Sequence, residues 1–443
     1  MPESTNSTRV LGRYEICGFM SQHYFSPDEL VLANPNGPNY QQHYYVLSTL
    51  FHEYVHHLQI VGTTFGRMYL EILSCIGGSF IDAINELREK HQLKNFVRPL
   101  ADNFKKYRTS SFTNGVLSDV LKRAFLGGDS LDGLDVNKYS PGINGLSDHV
   151  GDVCPIVNVF GKERDLGAFD ILESHASANE VAYLQRYAKL RPDVLDHALH
   201  SILQIPYKIL LELVQNKVGH DSRPDTLLRV ISDIALNPLM KTHLKVWKDV
   251  HPGWRTVRIL DALSNDLQIE INIWKQADPK DLNATIELTN SILSHFNWVS
   301  SKDALQAEKE PEQPNFFLDQ VLSVRSQYPA CIALVTEHKD VLINAIPIRS
   351  GRYEPRYNDG IIFGHRLKEI DMASLFDHYV AQMIFNEKVV PEIIFSGGLT
   401  CPWHNIPITD ASDCGTECPL NEIFFDTLKF SIKEYLAMPL VKR

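Results

Sequence analysis

The sequence predicts a mainly α protein of the α+β class, with a helical core over residues 1–300, a linker at 301–315 and a smaller mixed α/β lobe over 316–443. Apolar residues recur at helical spacing through most of the first two thirds of the chain. The strand-like runs CIALVT, DVLINAIPI and GIIFGH all lie late in the chain. Between the two regions runs SKDALQAEKEPEQPN, polar and charged enough to read as a linker.

Residues 1–40 read as irregular structure with a short strand or two, and NPNGPN is a turn cluster. A helix is expected from about Tyr44, carrying Ser48, Phe51, Val55 and Leu58, with Gly62 and the threonines after it ending it. GRMYLEILSCIGGSFIDAINELREKH reads as one or two helices. Residues 127–167, rich in Gly, Asp and Ser, read as a long loop, and its acidic residues do not fit a calcium-binding pattern. FDILESHASANEVAYLQRYAKL is helical by the spacing of Ile171, Leu172, Ala176, Val181 and Leu184. DHALHSILQIPYKILLELVQNKVG and PDTLLRVISDIALNPLMKTHL continue in the same way, Pro224 marking a helix start. One further helix is expected over WRTVRILDALSNDLQIEINIWKQ.

The 443 residues are 44% hydrophobic and 22% charged, which suits a globular chain with a large core. The net charge of −11 argues against nucleic acid or a membrane surface as partner. MPESTNSTRVLGRYEI has no apolar stretch, so no signal peptide is expected, and no run is long and apolar enough to span a bilayer. Seven cysteines, an odd number and mostly scattered in apolar segments, suit a reducing compartment, so a cytoplasmic location is expected.

The stretch STLFHEYVHHLQIVGTT puts three histidines and a glutamate on a helix that otherwise reads as buried. Unpaired polar groups are costly there, and a metal would remove the cost. His52, Glu53 and His56 spell HExxH. Helical residues four apart lie about 40° apart around the axis, so both imidazoles project from one face and can grip one ion. Glu53 is then placed to take a proton from water. The other reading is a polar helix face with hydrogen-bonded histidines.

This stretch resembles the zincin metallopeptidases, which implies a zincin-like helical core, a catalytic zinc ion and Glu53 as general base. The resemblance also implies a third ligand. The longer metzincin pattern fails, because Gln59 stands at its glycine position and Gly62 at its third histidine. A glutamate from a second helix, the gluzincin arrangement, remains. Glu173 leads the candidates because small residues around it (Ser174, Ala176, Ser177, Ala178) allow close helix packing. Glu180 and Glu71 are the alternatives, and Glu180 could instead orient a ligand histidine. Gln59 is a second candidate for such support, whereas His57 points away from the metal. An electrophilic Tyr, His or Arg is also implied, with His175, His251, Arg255 and Arg258 as candidates.

Near the C-terminus, Cys401, His404, Cys414 and Cys418 offer four soft ligands for a second, structural zinc ion; the alternative is a loop of ordinary thiols. The expected activity is zinc-dependent hydrolysis of a protein or peptide substrate. Hydrolysis of a non-peptide amide or ester, and metal binding without catalysis, are the rival readings. The sequence names no regulatory partner.

Overall fold

The computed structural model describes, with short gaps, residues 12–91, 110–132, 153–308, 354–356 and 360–364. Helix predominates, as expected. Strands β1 (Gly12–Glu15) and β2 (Met20–His23) pair antiparallel before α1 (Pro27–Leu32), which opens on proline with Asp28 and Glu29 in its first turn. Helix α2 (Tyr40–Gly62) is kinked at His43, so its regular part starts at Tyr44. Thr63 is extended and ends it. Its hydroxyl donates to Gln59 O and accepts from Gly66 N, capping the start of α3 (Thr64–His91). A Cβ at Gly66 would lie 2.2 Å from Ile60 O, so only glycine lets the two helices meet this closely.

Helix α4 (Ser110–Leu126) leads into a short 3₁₀ turn at Gly128–Leu131. The loop expected over 127–167 instead contains a hairpin, β3 (Ile156–Val159) and β4 (Lys162–Asp165), while 133–152 lie outside the described residues. Phe160 and Gly161 form its two-residue turn, both with positive φ (52° and 73°) as a type I′ turn requires. Helix α5 (Ala168–Arg186) follows. The chain entering it is clamped: Cβ atoms at Gly167 and Gly253 would lie 1.8 Å from Leu126 O and 2.0 Å from Leu166 O. Asp170 closes the entrance by accepting from Gly167 N and pairing with Arg164.

Helices α6 (Pro192–Ile202), α7 (Ile209–Val218) and α8 (Pro224–Leu236) come next. The short α9 (Trp247–Val250) precedes α10 (Pro252–Ser264) and α11 (Gln268–Gln276). One helix was expected across these last two. The chain breaks at Asn265, and Ala262 O accepts from both Asn265 N and Leu267 N. After α12 (Leu282–Phe296), residues expected to begin the linker form α13 (Ser301–Glu308). Ala304 and Leu305 anchor that helix by burial, and Ser301 donates to Asp233. The rest of the expected linker, 309–315, is outside the described residues, as are CIALVT and DVLINAIPI.

Strands β5 (Glu354–Arg356) and β6 (Gly360–Gly364) complete the N-terminal sheet in the order β1-β2-β6-β5, all antiparallel. Residues on both sides of the expected 301–315 boundary therefore share one sheet. Leu210, Leu227, Ile231, Ile259, Leu263, Trp274 and Ile292 form part of a large core between α7, α8 and α10–α12. Helix α5 packs chiefly on α2 and α8, and also touches α4, α6, α7 and α10. It is buried along nearly its whole length, and its small side chains admit neighbours on every side. Among the described residues no helix is long and apolar enough to cross a membrane.

Candidate metal centre

Helix α2 presents His52 and His56 to α5, which brings Glu173. The Nε2 atoms of the two histidines are 3.2 Å apart, and Glu173 Oε2 lies 3.5 Å from each. Among the described residues this is the one such group placed to hold a metal. Their side chains are 9%, 13% and 16% exposed. Two imidazole nitrogens and a carboxylate oxygen meeting in so dry a place call for positive charge between them. A tetrahedral zinc ion with bonds of about 2.1 Å needs ligand atoms about 3.4 Å apart, and the triangle matches this.

A second layer holds the histidines. His52 Nδ1 is 3.0 Å from Glu180 Oε2, and Ser48 donates its hydroxyl to the other oxygen of that carboxylate. This places Glu180 against the His52 nitrogen that does not face Glu173. His56 Nδ1 is 2.8 Å from Gln59 Oε1. Gln59 reaches across to α5, to Leu172 O at 2.8 Å and His175 Nδ1 at 2.9 Å. His175 thus lies next to the centre through Gln59 and is not one of the grouped ligands. Ser48 and the Leu172 carbonyl were not anticipated. Their partners are distant in sequence (132 residues for Ser48 and Glu180), so no local pattern marks them.

Glu53 is buried beside the ligands and is not one of the three grouped residues. Burial raises its pKa above the ordinary 4.5, partly offset by His52 and His56. Glu71 is exposed on α3 and does not join the group.

The other three expected electrophiles, His251, Arg255 and Arg258, have partners of their own. His251 caps α10 by accepting from Trp254 N, its Nε2 meets Ala124 O at 3.1 Å, and burial pushes its pKa down to about 4. Arg255 donates to Ile234 O and Asp249 O and stacks on Trp298, while Arg258 pairs with Asp249. Both arginines therefore tie α10 to its neighbours. The Cys401, His404, Cys414 and Cys418 cluster lies outside the described residues.

Protons supply positive charge within this cluster. Burial pulls His52 down, but hydrogen bonds to Glu173 and Glu180 carry its pKa well above 6.5. His56 is raised despite burial, chiefly by the charge of Glu173. Burial works against Glu173 too, yet the charge of His56 and hydrogen bonds to both histidines hold it far below 4.5. The raised histidines stabilise the metal-free protein below pH 6.5, and this is lost as pH rises through their folded values. The lowered Glu173 stabilises it above pH 4.5, and this is lost as pH falls through its folded value. Zinc held by both histidines would have to displace their protons. The rise in melting temperature on adding zinc should therefore grow between about pH 6 and about pH 8. Melts with zinc and with chelator measure this, and a zinc effect that shrinks with rising pH contradicts the assignment.

Compared with known proteins, the chain matches no protein-family model, no curated protein and no solved structure.

Proposed function

We propose that the protein is a zinc-dependent hydrolase that cleaves peptide bonds. The observation that carries this is the triangle of His52, His56 and Glu173 with a buried, non-ligating carboxylate, Glu53, next to it. A zinc ion held by the three ligands supplies Lewis acidity, which makes water more acidic and polarises a carbonyl. Glu53 accepts the proton of the attacking water at its carboxylate and returns it to the leaving nitrogen. Burial suits it to both tasks, because a raised pKa brings the carboxylate nearer to working pH. Glu180 holds His52 in place from behind and adds negative charge to that ligand. A site that only stored zinc would have no use for a buried carboxylate at position 53.

A second reading has its own support. The ligand side chains are 16% exposed or less, which favours a compact substrate, such as a small amide or ester, over a long extended chain. One experiment separates these. Zinc-loaded protein is incubated with a mixed peptide library and, separately, with small amide and ester substrates. New peptide amino termini that vanish with chelator support the peptidase. Chelator-sensitive turnover of the small substrates alone supports the second reading, and no turnover of either overturns both.

A further inference from the structure

The donor and acceptor pattern around Gln59 settles more than the positions of the atoms. The Leu172 carbonyl can only accept, so the Gln59 atom 2.8 Å from it is the NH2 group. The same nitrogen is 2.9 Å from His175 Nδ1, and an NH2 group can only donate there, so His175 Nδ1 accepts and its proton sits on Nε2. Gln59 Oε1 is then left facing His56 Nδ1 at 2.8 Å, and it can only accept. His56 must therefore carry a proton on Nδ1. Its Nε2, the atom 3.5 Å from Glu173 and 3.2 Å from His52 Nε2, is the one free to bind a metal. Turning the amide over would set two oxygens against each other at Leu172.

We propose that Gln59 is a positioning residue that fixes the tautomer of His56, and that the Leu172 carbonyl and the His175 ring are what orient it. This rests on the metal-centre reading and extends it to how the centre is made ready. Gln59 and His175 are both fully buried, so water cannot stand in for either contact. The amide also joins α2 to α5 one residue before Glu173, so it sets the ligand tautomer and the spacing between the two ligand-bearing helices together. The two histidines are held by different chemistry: a carboxylate behind His52 and a neutral amide behind His56.

The test uses Gln59→Leu, Gln59→Glu and the wild type, labelled with ¹⁵N in histidine. Zinc affinity is measured by competition with a chelator, and ring-nitrogen spectra are recorded with and without zinc. Gln59→Leu should bind zinc about 10–100-fold more weakly and lose the downfield Nδ1–H signal of zinc-loaded His56. Gln59→Glu keeps an acceptor for His56 but loses both donors, and it too should bind more weakly than the wild type. Wild-type His175 should carry its proton on Nε2 in both spectra. Gln59→Glu binding as tightly as the wild type, or a His175 proton on Nδ1, overturns the proposal while the metal centre stands. A wild type that takes up no zinc overturns the metal-centre reading itself. Should Gln59→Leu fail to fold, the wild-type spectra and Gln59→Glu still decide.

Discussion

Glu53→Gln is expected to keep its zinc and lose its hydrolytic turnover, by roughly 10²–10⁴-fold. Glu53 is not among the three grouped ligands, so exchanging its carboxylate for an amide leaves the metal's donors untouched. The substitution keeps the side chain's shape and removes only its power to take and return a proton. Stability should not suffer, because burial already penalises the charged form of Glu53 and the amide escapes that cost. Zinc per chain, turnover and a melting curve from one preparation check all three points. A variant with full turnover refutes the general-base role, and one that loses its metal makes Glu53 a ligand.

The second large effect is on the metal. Glu173→Ala should abolish tight zinc binding, since only two imidazoles then remain from the group of three. Glu71→Ala should leave binding unchanged, because Glu71 is exposed on α3 and outside the group. Glu173→Ala also removes the counter-charge that holds His52 and His56 protonated without metal. The metal-free variant should therefore lose on the order of 3 kcal/mol at mildly acidic pH, the cost of leaving buried charge without its partner. Zinc titrations and denaturant melts at about pH 6 measure both effects. Undiminished affinity in Glu173→Ala would pass the third-ligand role to another residue.

How much of this could be read from sequence depended on the range of the contacts. His52, Glu53 and His56 are local, and a spacing of four on a helix was enough to place them on one face. Glu173 was legible less directly, through the small residues that let α5 approach α2. The pairings behind the ligands were legible only as candidates, because Gln59 and His175 are 116 residues apart. The capping by His251 and the bracing by Arg255 were not legible, because their partners at Ala124 and Ile234 lie far off in sequence. The hairpin at 156–165 was hidden by its turn. Phe160–Gly161 lacks the usual Asn–Gly signal, and a phenylalanine with φ of 52° is not anticipated from propensity. Residues 301–308 were misread because helix α13 is mostly polar and is held by a few buried positions, Ala304 and Leu305 among them.

The clamped entrance of α5 bears on the order of events when the chain folds. Gly167 lies hard against Leu126 and Gly253 against Leu166, so a side chain at either position would force α4, α5 and α10 apart and shift Glu173 relative to α2. The contacts between α2 and α5 span well over a hundred residues, and such closures come late and slowly. A metal held by His52, His56 and Glu173 would need both helices in place before it met all three. Such a metal would then slow unfolding without speeding folding, so that a chain loaded with zinc would persist longer without forming any faster.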